Sequence, residues 1–228
     1  MGNDAKELQI DEFVHLKKDD ITASLEKLER SSQSIQRWLQ YCLYHYDVLS
    51  SINVSDLALD RIGEYQRTGE SVPLRYVYEA NIMAFLHSLH ALLDSFPYLL
   101  NLFIPVENDP EKPAIKWSKK FLEKYKNYKF HNELLEFFMD ETFNKLKGYD
   151  NIIKHKHHIR IVNKRSHLEF EKYEYKMPDR KGTEIKFHNK TMTGENIMKF
   201  LEDCHDKLIP SFFLLCDSIL EYKRQQIS

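Results

Sequence analysis

Ile21, Leu25, Leu28, Ile35, Leu39, Cys42, Tyr46 and Leu49 recur at spacings of three, four or seven residues. A stripe of that period puts one continuous apolar face on a long helix, expected here to end near residues 50–53. Such a helix can hide its stripe only against other helices, and the chain supplies them. Tyr76, Ala80, Met83, His87, His90 and Asp94 mark a second helix over about 74–96, with Pro97 expected to kink or end it. Leu135, Met139, Phe143, Leu146 and Ile153 mark a third, read as unbroken from His131 to residue 157. Ile197, Leu201, Cys204, Leu208, Phe212, Leu215, Ile219 and Tyr222 mark a fourth, with Thr193 as its cap and a kink at Pro210. Shorter helices are expected at 55–68 and around Trp117, Phe121 and Tyr125. Four long amphipathic helices without a repeat predict a mainly α fold, an up-and-down helix bundle. With 228 residues the chain makes one domain large enough to bury a core without disulfides or metal.

Between the third and fourth helices the period drops to two. Ile159 with Ile161, Leu168 with Phe170, Tyr173 with Tyr175, and Ile185 with Phe187 alternate as in strands. Turns at 163–164 and 178–182 divide them. The pattern predicts a small antiparallel β insert near 159–190, of two or three strands, with a bulge where the alternation slips between Phe170 and Tyr173.

Several function classes lack their residues. There is no GxGxxG or GxxxxGK[ST] phosphate loop, no GxSxG nucleophile elbow and no HExxH metal pair. Cys42, Cys204 and Cys216 contain no CxxC pair and fall on apolar stripes, so they read as buried thiols. The first residues carry no signal-peptide core. The most apolar stretch, 82–104, is interrupted by His87, His90, Asp94, Pro97 and Asn101, which argues against a bilayer span. The expectation is a cytoplasmic protein with no membrane partner. A formal net charge of −2 gives the whole molecule no attraction to nucleic acid, so any such binding must come from a local patch.

One segment is such a patch. From Asn151 to Leu168 there is no acidic residue, while Lys154, Lys156, Arg160, Lys164 and Arg165 are basic and His155, His157, His158 and His167 are interspersed. Cations at a helix C-terminus offset the helix dipole, which accounts for such a cluster without any ligand. The functional reading is a site for the phosphates of RNA or a nucleotide. Lys154, Lys156, His158 and Arg160 would bind them. His155 would act as general acid or base, with Asn151 four residues earlier on the same helical face. Asp150 and Lys154, also four apart, are set for an ion pair. His155 and His158 share a face, but no carboxylate completes a metal set, so neither metal nor cofactor is expected. His87 and His90, three apart on the second helix with Asp94 beyond, read as hydrogen-bonded polar residues of the core or an interface, or as a partner for the His155 segment.

A polar helix carrying Asn151, an intervening lysine and then His155, inside an all-α bundle, resembles the HEPN superfamily. Members are compact helical bundles, commonly dimeric. Their signature is Arg, four to six residues, then His, with a polar residue just after the Arg. Active members are metal-independent ribonucleases, and others bind nucleotides or act as non-catalytic partners. Asn151 takes the polar position and His155 the His, whereas Asp150 stands where the Arg belongs and inverts the charge there. The resemblance implies a bacterial HEPN-like protein with a degenerate Arg-x4-His motif. It would be a homodimer that binds RNA or a nucleotide, either as a ribonuclease or without catalysis. The alternative, from the residues alone, is a non-enzymatic helical protein-interaction or dimerisation module.

Overall fold

The computed structural model describes residues 11–17, 24–53, 74–155, 161–164, 167–181 and 184–227. The architecture is mainly helical, with a small antiparallel β insert before the last helices. Helix α1 (Ser24–Ser51) and helix α2 (Leu74–Phe103) form the longest pair. His45 meets Asn81, Trp38 meets His87, and Lys27 reaches Glu111 beside Tyr98, so the two run antiparallel. The stripe of α1 is buried through Leu28, Ile35, Leu39, Cys42 and Leu49, as its period requires.

Helix α2 does not stop at Pro97 but continues to Phe103. Proline has no N–H to offer the carbonyl four residues back, which leaves Leu93 O without its helical donor. The Trp117 indole fills that vacancy, donating to Leu93 O at 2.7 Å. Trp117 sits at the head of α3 (Lys119–Leu122), a short helix capped by Ser118 and continued by a 3-10 turn at Glu123–Tyr125. Phe96, Trp117, Phe137, Phe143 and Phe212 then stack edge and face into one aromatic core.

The third expected helix is two. Helix α4 (His131–Met139) ends at Asp140, and α5 (Glu141–His155) begins directly after it. Asp140 leaves the helical region at ψ 131°, and its Oδ1 accepts the Phe143 N–H at 2.8 Å, as an N-cap does. Asn144 closes the joint from inside, donating to Phe138 O at 2.9 Å and Asp140 O at 2.7 Å.

The insert has more strands than the alternation suggests. Strands β1 (Ile161–Asn163), β2 (Leu168–Phe170) and β5 (Glu195–Asn196) form one antiparallel sheet, ordered β1-β2-β5. Strands β3 (Tyr173–Lys181) and β4 (Glu184–Met192) form a separate hairpin, in register from Tyr173 opposite Met192 to Lys181 opposite Glu184. The slip between Phe170 and Tyr173 is therefore a boundary between two sheets, not a bulge. Pro178 lies within β3, opposite Phe187, and is not part of the turn.

The chain then enters α6 (Ile197–Asp203), capped by Asn196, whose side chain accepts the Lys199 N–H; Thr193 is not the cap. A π-helical turn at Cys204–Leu208 leads into α7 (Ile209–Ile227). Pro210 follows directly on the π-helical turn, inside a helix that runs unbroken from Ile197 to Ile227. All three cysteines are buried free thiols. No helix among the described residues is long and apolar enough to cross a membrane.

Candidate functional site

Helix α5 is held between α2 on one flank and the β3–β4 hairpin on the other. The hairpin flank depends on Gly148. A Cβ built there would lie 2.7 Å from Tyr175 Cβ and 3.0 Å from the Tyr173 ring, so only glycine lets the strand lie this close. Lys145 and Tyr149 fasten the same flank by donating to Glu195 at 2.7 and 2.8 Å. Tyr175 donates to Glu141 at 3.0 Å. Burial pushes the Tyr149 hydroxyl pKa up, and neighbouring Tyr173 and Glu195 push the same way.

Helix and hairpin enclose a groove of about 540 Å³. Asn144, Lys147 and Asn151 line it from α5, and Lys176, Phe187 and Asn189 line it from the hairpin. Three side-chain amides and two ammonium groups thus line one space, together with one carboxylate, Glu174 of the hairpin. Lys147 is half-buried, its Nζ 5.4 Å from the Phe143 ring centroid and 5.8 Å from that of Phe138. No carboxylate among the described residues lies within ion-pair distance of it. Burial lowers its pKa; Asp94 on α2 works against that shift and Lys116 works with it. A cation withdrawn from water without a counter-ion is an anion site in waiting, since a bound anion restores what desolvation removed.

The α2 flank carries the opposite feature. Asp150 is fully buried. His87 Nδ1 lies 3.2 Å from its Oδ1, and His90 Nδ1 lies 2.9 Å from Oδ2, an ion-pair distance but off the line of a good hydrogen bond. Lys154 Nζ, one turn on, is 2.7 Å from Oδ2. Burial alone would raise the Asp150 pKa, but His90, Lys154 and His87 outweigh it and hold the carboxyl well below the usual range.

The expected site residues therefore part company. Asn151 opens into the groove, and His155, one turn further along the same face, is exposed at the helix end. Lys154 pairs with Asp150 as its spacing suggests, and so is turned from the groove to the α2 flank. Lys156, His158 and Arg160 lie outside the described residues. His87 and His90 do face the end of α5, but their partner is Asp150, not His155. Lys147 was not singled out by sequence; it is one lysine among many until the fold shows it without an ion-pair partner among the described residues. Among the described residues no group of three His, Cys, Asp or Glu side chains is placed to hold a metal ion.

The chain matches no family model, no curated protein and no solved structure. The chemistry of the site is read from its own residues.

Proposed function

We propose that the chain binds a phosphate-bearing ligand, RNA or a nucleotide, in the groove between α5 and the β3–β4 hairpin. The observation that carries this reading is Lys147, a half-buried ammonium without an ion-pair partner among the described residues, lining the same groove as Asn151. A phosphate oxygen there would accept from Lys147, and the Asn151 and Asn189 amides supply further donors; the Asn144 amide is spent on the Phe138 and Asp140 carbonyls. Lys176 adds a cation from the hairpin, where Glu174 offsets its charge and leaves Lys147 as the uncompensated one. His155, exposed one turn beyond Asn151, extends the path that a polymer backbone would follow.

Binding is favoured over cleavage. The HEPN-like motif that would cleave RNA places a cation where Asp150 stands. Here that position is a buried carboxylate engaged by three side chains of the protein itself. Under this reading the chain is a HEPN-like binding domain without the family's phosphate-stabilising arginine.

Backbone and side-chain amide NMR spectra recorded during a titration with a short RNA or with a nucleoside monophosphate test the reading. The Asn151 and Asn189 side-chain amides and the residues around Lys147 shift together. Shifts scattered over the surface, or none, would contradict it.

A second reading has one observation in its favour. Phe187 is half-exposed on β4, which pairs only with β3 among the described residues. An exposed aromatic beside an open strand edge suits contact with a protein or a second copy. Light scattering that gives a dimer for the wild type and a monomer for Phe187→Ser would support it.

A further inference from the structure

We infer that His87, set on the α2 flank with His90 and Lys154 around Asp150, forms a second phosphate subsite that is filled only when the imidazole is protonated. This inference rests on the reading of the groove as a phosphate site and adds to it a contact, a residue and a condition.

The geometry comes first. An ionised carboxylate only accepts, so the neutral His87 ring gives its Nδ1 hydrogen to Asp150 and keeps its proton there. Nε2 lies on the opposite edge of the ring, and the side chain is 44% exposed. The Trp38 ring, edge-on at 5.9 Å, limits how far the imidazole can swing. In the neutral form Nε2 is an acceptor and repels a phosphate oxygen. Protonation turns it into a donor carrying positive charge, in an orientation already fixed by the carboxylate behind it. His90, only 7% exposed, and Lys154 both lie within ion-pair distance of the second carboxylate oxygen and hold Asp150 inward.

Charge balance gives the condition. The ionisable groups here are His87, His90 and Asp94 on α2, Lys116 after it, and Lys147, Asp150 and Lys154 on α5; α1 contributes the uncharged Trp38 ring. With neutral imidazoles the three ammonium groups exceed the two carboxylates by one. Each proton taken up by His87 or His90 is uncompensated and makes the flank more positive. A fixed, wholly structural cluster would need one cation for one buried carboxylate. Three candidate cations around Asp150 leave room for a charge that an outside anion can answer. Lys154 belongs to this cluster and Lys147 to the groove, and both project from the same stretch of α5. Under the proposal one RNA strand reaches both, with one phosphate at Lys147 and another at His87.

The experiment measures binding of a short labelled RNA at about pH 6 and about pH 8, where histidine changes charge. The proteins are the wild type, His87→Gln and Lys147→Met, with circular dichroism at both pH values to verify folding. In parallel, the His87 ring nitrogens are observed by NMR at fixed pH with and without RNA. The wild type binds roughly tenfold more tightly at the lower pH. In His87→Gln that ratio falls to about threefold or less, the remainder coming from the other histidines. RNA raises the protonated fraction of His87, because binding and protonation are linked. If Lys147→Met weakens binding at both pH values while His87→Gln keeps the full ratio and the His87 nitrogens do not move, the second subsite is wrong and the groove stands. If binding is absent or indifferent to Lys147 at either pH, the groove reading fails and the subsite fails with it. Should His87→Gln not fold, the nitrogen shifts of the wild type decide alone.

Discussion

Gly148 and Tyr175 approach so closely that a single methyl group on the glycine would meet Tyr175 Cβ at 2.7 Å. This contact sets the distance between α5 and the hairpin, and with it the width of the groove. Gly148→Ala trades a helix-propensity gain of about 1 kcal/mol against overpacking of about 1–3 kcal/mol. The clash is with a Cβ atom, which cannot rotate away, so the variant is the less stable of the two. Urea denaturation measures this; a variant as stable as the wild type would show that the hairpin can slide.

The Asp150 cluster ties α2 to α5. Asp150→Ala leaves the buried His90 without its partner and Lys154 without its pair, at a cost of about 2 kcal/mol. The folded-state pKa of Asp150 is lowered, so its contribution is fully present above the ordinary carboxylate value of about 4. It is lost as pH falls from there toward the folded value. The stability gap between wild type and variant is therefore wide at neutral pH and narrows below about pH 4. Chemical denaturation across that range tests it, and a gap independent of pH would contradict the assignment.

The alkaline limb has the opposite sign. Burial, named first among the causes in each case, raises the pKa values of Tyr149, Tyr173 and Tyr175 where α5 meets the insert. Folding keeps these hydroxyls protonated, so their contribution is whole below the unfolded value of about 10 and disappears as pH rises beyond it. Tyrosinate absorbance of these residues should grow in step with loss of helical circular dichroism above that pH. Full ionisation with the helices intact would show the hydroxyls to be accessible.

Asp140 was the least legible of the structural devices. Met139 and Phe143 keep helical spacing across it, so periodicity alone joins α4 to α5, and only the cap geometry separates them. The same limit applies at Pro97. Its effect on the helix depended on whether the Leu93 carbonyl found another donor, and Trp117, 24 residues away in sequence, is that donor. Local pattern was enough for the α1 stripe, the Asp150–Lys154 pair and the exposed Asn151–His155 face, because these involve residues three, four or seven apart. It was not enough for Lys147. The absence of a partner is a property of everything around a side chain, and no spacing encodes it. The strand count failed for a related reason: two sheets that share an insert give the same alternation as one.

Removing the cap checks that α5 begins where the structure places it. Asp140→Ala costs about 1 kcal/mol through loss of the hydrogen bond to the Phe143 N–H. Asp140→Asn and Asp140→Ser retain an acceptor and recover most of it. Thermal denaturation of the three variants distinguishes a cap from a surface acid, for which all three would behave alike.

The central claim is that Lys147 holds a phosphate, and its charge can be removed without its bulk. Lys147→Met keeps a long apolar side chain over Phe138 and Phe143 and takes away the ammonium. The decisive measurement is the affinity of a short single-stranded RNA for both proteins between about 50 and 200 mM salt. The account predicts roughly tenfold weaker binding by Lys147→Met at the lower salt. It also predicts a salt slope shallower by about 0.7, the signature of one lost phosphate contact on a single strand. Equal affinities and equal slopes for the two proteins would contradict it.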